Sequence, residues 1–109
     1  MNVIYTTAGN ILIIAIEGSI DSNTAGDIQV NLYERVAEAT NVLLDLSEVD
    51  FVSSAGLRML LLIYRQIKSR NGKVILSGVS DEIKDIMALT GFINFFEIFQ
   101  NKADALNSF

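Results

Sequence analysis

Residues 50–58 read Asp-Phe-Val-Ser-Ser-Ala-Gly-Leu-Arg, and they join a hydrophobic strand pattern to an amphipathic helix pattern. The adjacent hydroxyls of Ser53 and Ser54 therefore stand at a loop-to-helix junction. Backbone N–H groups at a helix start lack intrahelical acceptors, and the helix dipole adds partial positive charge, so an anion is stabilised there. Ser54 is on these grounds a candidate phosphate acceptor, although a serine at this position most often only caps the helix.

The strand and helix patterns extend outward from this junction on both sides. Residues 42–46 read Val-Leu-Leu-Asp-Leu and predict a strand, with residues 47–54 as the loop that follows. Apolar residues then recur at helical spacing and predict one buried helix face: Leu57, Leu60, Leu61, Tyr64 and Ile67. Asp45 lies within the leucine-rich strand, and we expect hydrogen bonds to hold its carboxylate.

The N-terminal part predicts a hairpin followed by a helix. The strands Val3–Thr7 and 10–18 are separated by a short connection that contains a glycine, which favours an antiparallel pair. Thr24 and Asp27 have capping-box spacing and predict a helix start. Its apolar stripe is Ala25, Ile28, Leu32, Val36 and Ala39.

The C-terminal part alternates strand and helix. Residues 73–78 predict a strand, and Ser80 caps a helix that stops at Gly91. A short strand at 96–99 and a terminal helix at 101–106 complete the order β-β-α-β-α-β-α-β-α. This order predicts an α/β fold over residues 1–109 as a single domain, with a mostly parallel sheet and an antiparallel N-terminal edge strand.

The predicted topology brings three strand-to-helix loops to the carboxyl edge of the sheet, where such folds usually bind ligands or partners. These loops are residues 18–23, 47–54 and 78–81. We therefore expect Asp21, Ser54 and Ser80 to lie on one rim, although they are distant in sequence.

The composition excludes several function classes. The chain has no cysteine and no histidine, so neither a Ser-His-Asp hydrolase nor a zinc site built on those residues can form. A net charge of −5 argues against a nucleic-acid backbone binder. No phosphate-binding glycine motif and no apolar run of about 20 residues occurs. We expect a cytoplasmic protein that is not an enzyme, has no cofactor or metal, binds no nucleic acid and does not insert into a membrane.

A family resemblance is carried by residues 44–47, Leu-Asp-Leu-Ser, leading into residues 51–58, with Gly18, Asp21 and Thr24 upstream. This pattern resembles the STAS domain of bacterial anti-sigma factor antagonists. The resemblance implies that the unmodified protein binds an anti-sigma factor and so releases a sigma factor. It also implies that the anti-sigma factor is a serine kinase, which phosphorylates the helix-start serine, and that a serine phosphatase reverses the modification.

Carried over by motif position, the resemblance makes Ser54 the phosphate acceptor and Asp21 part of the partner-binding surface. Gly56, Leu57 and Arg58 match the start of the helix beside the acceptor. Ser53 stands where the family often has Asp, and the residue after the acceptor is Ala rather than Ser. Two hydroxyls are therefore candidates, and Ser54 is favoured because its spacing to Gly56 and Leu57 matches the motif.

Three neighbouring residues keep two interpretations each. Gly56 either lets a partner approach the backbone or lets the first helical turn pack on a strand. Arg58 is either a solvated side chain or a contact for an acidic partner group. Met59, with Ile63 one turn later, lies opposite the predicted apolar face, so it either packs against flanking helices or extends the partner surface.

Two alternative functions follow from the same residues. The first is a STAS module of another complex, such as a lipid-transport ATPase or a signalling assembly, in which the serine is never modified. The second is an enzyme with Ser54 as nucleophile, which the lack of a histidine base disfavours. In the switching hypothesis, a helix start tolerates the phosphate in the free domain. In an interface that contains Asp21 and Asp50, the same phosphate meets like charge and loses water.

Overall fold

The computed structural model describes residues 2–109 and shows one sheet with helices on both faces. The strands are β1 (Asn2–Ala8), β2 (Ile11–Ile20), β3 (Asn41–Val52), β4 (Lys73–Ser77) and β5 (Glu97–Phe99). The helices are α1 (Ala25–Arg35), α2 (Ser54–Lys68), α3 (Asp81–Thr90) and α4 (Lys102–Asn107), with a short 3-10 turn at Phe92–Asn94. The predicted order of elements is confirmed.

The five strands lie side by side in sequence order, with β1 antiparallel to β2 and every later pair parallel. Successive strand residues point to opposite faces, so the isoleucine-rich β2 fills two cores. Ile14 joins the larger core with Ile28 of α1 and Leu60 of α2, whereas Ile13 joins a smaller one with Ala105 of α4. The predicted α/β fold with an antiparallel edge strand is confirmed.

The prediction that residues 47–54 form a loop is wrong. β3 continues to Val52, and β2 continues beside it to Ile20, with two register shifts along the pair. Val49 and Val52 are buried in the larger core, whereas Asp50 and Phe51 between them are exposed, so the extension still has one buried apolar side. As a result, only Ser53 separates the end of β3 from the start of α2.

More of the circumference of α2 is buried than the sequence predicted. Met59 and Ile63 are each 1% exposed, on the face that also carries Gln66 and Arg70. Arg70 donates to the Ala39 carbonyl oxygen at 2.7 Å, so this face lies against α1 and the turn after it. The packing interpretation of Met59 and Ile63 is confirmed, and the prediction that Met59 contacts a partner is corrected, because α1 covers it.

Among residues 2–109, no helix combines the length and the apolar character that crossing a membrane requires.

Candidate functional site

The junction between β3 and α2 gives the two candidate hydroxyls different roles. The Ser53 N–H donates to the Ile20 carbonyl oxygen at 2.9 Å, which fixes the end of β3 to the end of β2. The Ser53 Oγ accepts a hydrogen bond from the Gly56 N–H at 3.2 Å and caps α2. Ser53 is half-buried. The capping prediction is therefore confirmed for Ser53, whose hydroxyl is engaged by the helix that it starts.

Ser54 is the first helical residue of α2, and it is exposed. Within the part of the chain that the structure describes, its Oγ makes no hydrogen bond to another protein group, and the N–H groups of Ser54 and Ala55 have no protein acceptor. The first turn of α2 carries no acidic side chain. An anion on Ser54 would therefore meet unpaired donors and the positive end of the helix dipole.

Gly56 fixes how closely this helix start approaches the sheet. A Cβ atom at this position would lie 2.5 Å from the Ile20 carbonyl oxygen and 3.0 Å from Val52 Cγ1. Such contacts are too short for any side chain, so the packing interpretation of Gly56 is the one that the structure supports. Gly56 and Leu57 are buried, the latter being 1% exposed. The Leu57 side chain therefore lies in the core rather than on the partner surface, which corrects that prediction, and the buried Gly56 has no side chain to present to a partner.

Asp21 lies at the end of β2 and organises the turn into α1. Its Oδ1 accepts hydrogen bonds from the N–H groups of Asn23 at 2.9 Å and Thr24 at 3.2 Å. Thr24 Oγ1 accepts from the Asp21 N–H and donates to the Ser19 carbonyl oxygen. Thr24 thus makes no side-chain cap, and the predicted capping box with Asp27 is wrong, although α1 begins where that motif predicted. The half-buried Asp21 carboxylate is held in one orientation.

The ends of β2 and β3 add two features that the sequence reasoning did not identify. Ser19 Oγ donates to Asp50 Oδ1 at 2.8 Å, so a hydroxyl orients this carboxylate. Phe51, which pairs with Ser19 in the sheet, is 49% exposed. The polar–apolar–polar order of residues 48–50 was a signal that could have placed Asp50 on the exposed side of a strand, whereas the same alternation would have placed Phe51 on the buried side.

The predicted rim exists in part. Ile20 pairs with Val52 and accepts from the Ser53 N–H, which brings Asp21, the next residue, close to the start of α2. β4 stops at Ser77, opposite Asp45, while β3 continues beyond that pair. Ser80 consequently follows a strand that ends at a different level of the sheet.

Three further side chains lie where the sequence placed them. Ser80 caps α3 through the Ile83 N–H, as predicted. Arg58 is exposed one turn after Ser54. The Asp45 carboxylate accepts from the Ser47 N–H at 3.1 Å, in agreement with the expected hydrogen bonding.

Comparison with known proteins finds a matching family model, relatives in sequence and solved structures with the same fold. A family model described as the STAS domain matches residues 2–105. BtrV of Bordetella bronchiseptica, described as a candidate anti-sigma factor antagonist, is 28% identical over 99 residues, covering 90% of this chain and 85% of the relative. A solved structure from Thermotoga maritima with the same description has a TM-score of 0.91 at 17% identity, covering 97% of this chain and 92% of that chain.

The anti-sigma factor antagonist SpoIIAA, a Bacillus cell fate determinant, has the same fold. Its unphosphorylated and phosphorylated structures match with TM-scores of 0.76 and 0.75, both at 14% identity. The matches cover 98% of this chain and, respectively, 96% and 98% of those chains. The fold is thus shared with anti-sigma factor antagonists, and the family model spans nearly all of the sequence. The protein belongs to the STAS domain family.

Proposed function

We propose that this protein is an anti-sigma factor antagonist that binds an anti-sigma factor with serine kinase activity and is switched off by phosphorylation of Ser54. Relatives in sequence and in fold bear this description, which supports the general role. The observation that carries the finer proposal is the contrast at the start of α2. The Ser53 hydroxyl accepts the hydrogen bond that caps α2, whereas the Ser54 hydroxyl is exposed and makes no hydrogen bond in the described part of the chain.

The assignment of Ser54 over Ser53 follows from what each hydroxyl would lose. Transfer of a phosphoryl group to Ser53 would esterify the oxygen that accepts from the Gly56 N–H, disturb that cap and add bulk at a half-buried position. Transfer to Ser54 breaks no hydrogen bond in the described structure. The phosphate on Ser54 would instead approach the unpaired N–H groups at the helix start.

The same phosphate would act differently in a complex. It adds a charge of about −1.5 to −2 near neutral pH. Asp21 and Asp50 already place carboxylates at the adjoining strand ends, where hydrogen bonds from Thr24 and Ser19 orient them. A partner that covers this region must remove water from all three anionic groups, and uncompensated buried charge costs several kcal/mol. Phosphorylation would thus end binding without unfolding the domain.

The partner-contacting residues of this proposal are those that remain accessible. Asp21, Ser53, Ser54 and Arg58 are half-buried or exposed, and they surround the start of α2. The chain acts as a kinase substrate and binding protein rather than as an enzyme, and a serine phosphatase restores the binding form.

Phosphosite mapping by mass spectrometry tests this function. The wild-type protein and the Ser54→Ala and Ser53→Ala variants are isolated from the host cell and digested, and the modified peptide is sequenced. We expect phosphate on Ser54 in the wild type, none in Ser54→Ala, and retained modification of Ser54 in Ser53→Ala. The matched serine variants separate loss of the acceptor from loss of the cap. Phosphate confined to Ser53 would contradict the assignment.

A further inference from the structure

The solvent faces of α1 and α2 expose three large apolar or aromatic side chains. Val30 and Tyr33 of α1 are 67% and 57% exposed, and Leu62 of α2 is 41% exposed. A depression of about 400 Å³ lies along α1 and is lined by Gly26, Gln29, Val30, Tyr33 and Glu34. Exposed apolar patches of this kind often mark interaction surfaces.

Gly26 lines this depression, although neither its backbone conformation nor its packing requires a glycine. It lies in the first turn of α1, and a Cβ atom there would meet nothing within 4 Å. Its backbone does not adopt the positive φ that favours glycine elsewhere in the described chain. Glycine is a poorer helix residue than alanine, so the fold alone favours a side chain here. Gly26, Val30 and Tyr33 share one helix face at spacings of four and three, and the missing side chain leaves that face open.

A row of exposed residues on α2 connects this face to Ser54. Ser54, Arg58 and Leu62 are all exposed and follow one another at intervals of one helical turn. The next residue in the row, Gln66, donates its Nε2–H to the Tyr33 carbonyl oxygen at 3.3 Å. The two helices therefore meet at the Gln66 end of this row, beside Tyr33, and the row leads from there through Leu62 to Ser54.

We propose that the α1–α2 face, formed by Gly26, Val30, Tyr33 and Leu62, docks the same anti-sigma factor whose access Ser54 controls. This inference rests on the proposed function and extends its surface beyond the helix start. The partner inserts an apolar side chain into the depression at Gly26. Ser54 then forms one end of a longer interface rather than its centre.

Charge defines the chemistry of that partner. The outer surface of α1 carries the exposed acids Asp27 and Glu34, so the partner presents basic groups there. On α2, Arg58 and Arg65 are exposed, so we expect acidic or polar groups of the partner opposite them. The docking segment is therefore an apolar helix or loop with basic residues on its α1 side and an acidic residue nearer Ser54.

A second copy of this chain fits the face less well. A standard interface buries about 800 Å² from each partner, which is more than three partly exposed side chains supply. A stable complex must cover additional surface, and the row that leads to Ser54 supplies it. Two copies with a net charge of −5 each would also repel one another as they approach.

The test compares lysine substitutions on and off the face. Val30→Lys and Leu62→Lys are titrated by calorimetry with the purified anti-sigma factor of the same cell. Leu89→Lys is the control, because Leu89 is 87% exposed on α3. We expect each variant on the face to raise Kd at least about 10-fold, and the control to change it less than about twofold. Gly26→Ala should also weaken binding while its melting temperature does not fall, which separates docking from folding.

Including Ser54→Asp in the same titrations separates this inference from the proposed function. If Ser54→Asp weakens binding while Val30→Lys and Leu62→Lys bind like the wild type, the docking surface is overturned and the switch stands. A wild type that does not bind the anti-sigma factor would overturn both. Sedimentation equilibrium provides the last readout. Self-association of the wild type that Val30→Lys abolishes would assign the face to a second copy and contradict the proposal.

Discussion

The starts of α2 and α3 have the same serine N-cap but differ in the residue that follows it. Ser53 and Ser80 both stand at the N-cap with extended backbone, and each Oγ accepts a hydrogen bond at 3.2 Å from the N–H of the third helical residue. The first helical residue differs, because it is Ser54 in α2 and Asp81 in α3. One helix start thus follows its cap with a neutral hydroxyl and the other with a carboxylate.

The start of α3 therefore carries a permanent negative charge, whereas the start of α2 has a hydroxyl to which a charge can be added. The first turn of α3 contains Asp81 and Glu82, and those of α1 and α4 contain Asp27 and Asp104. Among the four α-helices that the structure describes, α2 has no acidic first turn. Because negative charge is favourable at a helix N-terminus, three helices carry it permanently. On α2, phosphorylation of Ser54 would supply it reversibly.

The largest effect that the comparison predicts concerns partner binding. Ser54→Asp should weaken binding to the anti-sigma factor by about 2–4 kcal/mol, because a charge is placed in an interface beside Asp21 and Asp50. Ser80→Asp is the matched control, since aspartate caps a helix as serine does and Ser80 lies off the predicted interface. Isothermal titration calorimetry measures both. Equal losses in the two variants would show that general charge, and not the start of α2, determines binding.

The next effect concerns the stability of the α2 start. Gly56→Ala should lower the free energy of unfolding by roughly 2–3 kcal/mol, because the new methyl group overlaps the Ile20 carbonyl oxygen. In α3 the corresponding third residue is the buried Ile83, so only α2 has this constraint. Urea denaturation measures the change. Gly26→Ala, whose methyl group meets nothing within 4 Å, is the control and should not destabilise the protein. A Gly56→Ala protein as stable as the wild type would show that the helix start can move away from β2.

The two caps should be worth similar amounts. Ser53→Ala and Ser80→Ala each remove one side-chain acceptor, and each should reduce the free energy of unfolding by about 1 kcal/mol. Thermal and urea denaturation of the two variants give the comparison. A negligible effect at Ser53 would indicate that its hydroxyl is free, and would weaken the preference for Ser54 as the acceptor.

The smallest effect is an exchange of first residues. Asp81→Ser should destabilise the protein by about 0.3–1 kcal/mol, and Ser54→Asp should stabilise the free protein by a similar amount. Both changes should shrink at about 1 M salt, where charges are screened over about 3 Å. Denaturation at low and high ionic strength measures them. If Ser54→Asp destabilises the free protein at low salt, the start of α2 does not accommodate an anion.

The sequence predicted features that depend on local pattern. The isoleucine run predicted β2, Gly91 predicted the end of α3, and the Ser53–Ser54 pair predicted the start of α2. Features that depend on neighbours in space were missed. The extension of β3 through Val52 has one extra residue in β3 at each of its two register shifts against β2, and the pattern of one strand alone does not show where such shifts occur.

The errors at the site have the same origin. Thr24 matched a capping motif, but Asp21 occupies the N–H groups of that turn from the preceding strand end. Met59 lay opposite the predicted apolar face, and only the position of α1 beside α2 shows that this side is also covered. Gly56 kept two interpretations until the end of β2 was seen against it.

The most direct measurement is calorimetric titration of the anti-sigma factor with two preparations of the wild-type protein. One preparation is unmodified, and the other is phosphorylated by its kinase with the site mapped by mass spectrometry. We predict that the phosphate lies on Ser54, that circular dichroism shows the same fold for both preparations, and that only the unmodified protein binds. Equal affinity of the two preparations, or loss of binding with the phosphate on Ser53, would contradict the proposed switch.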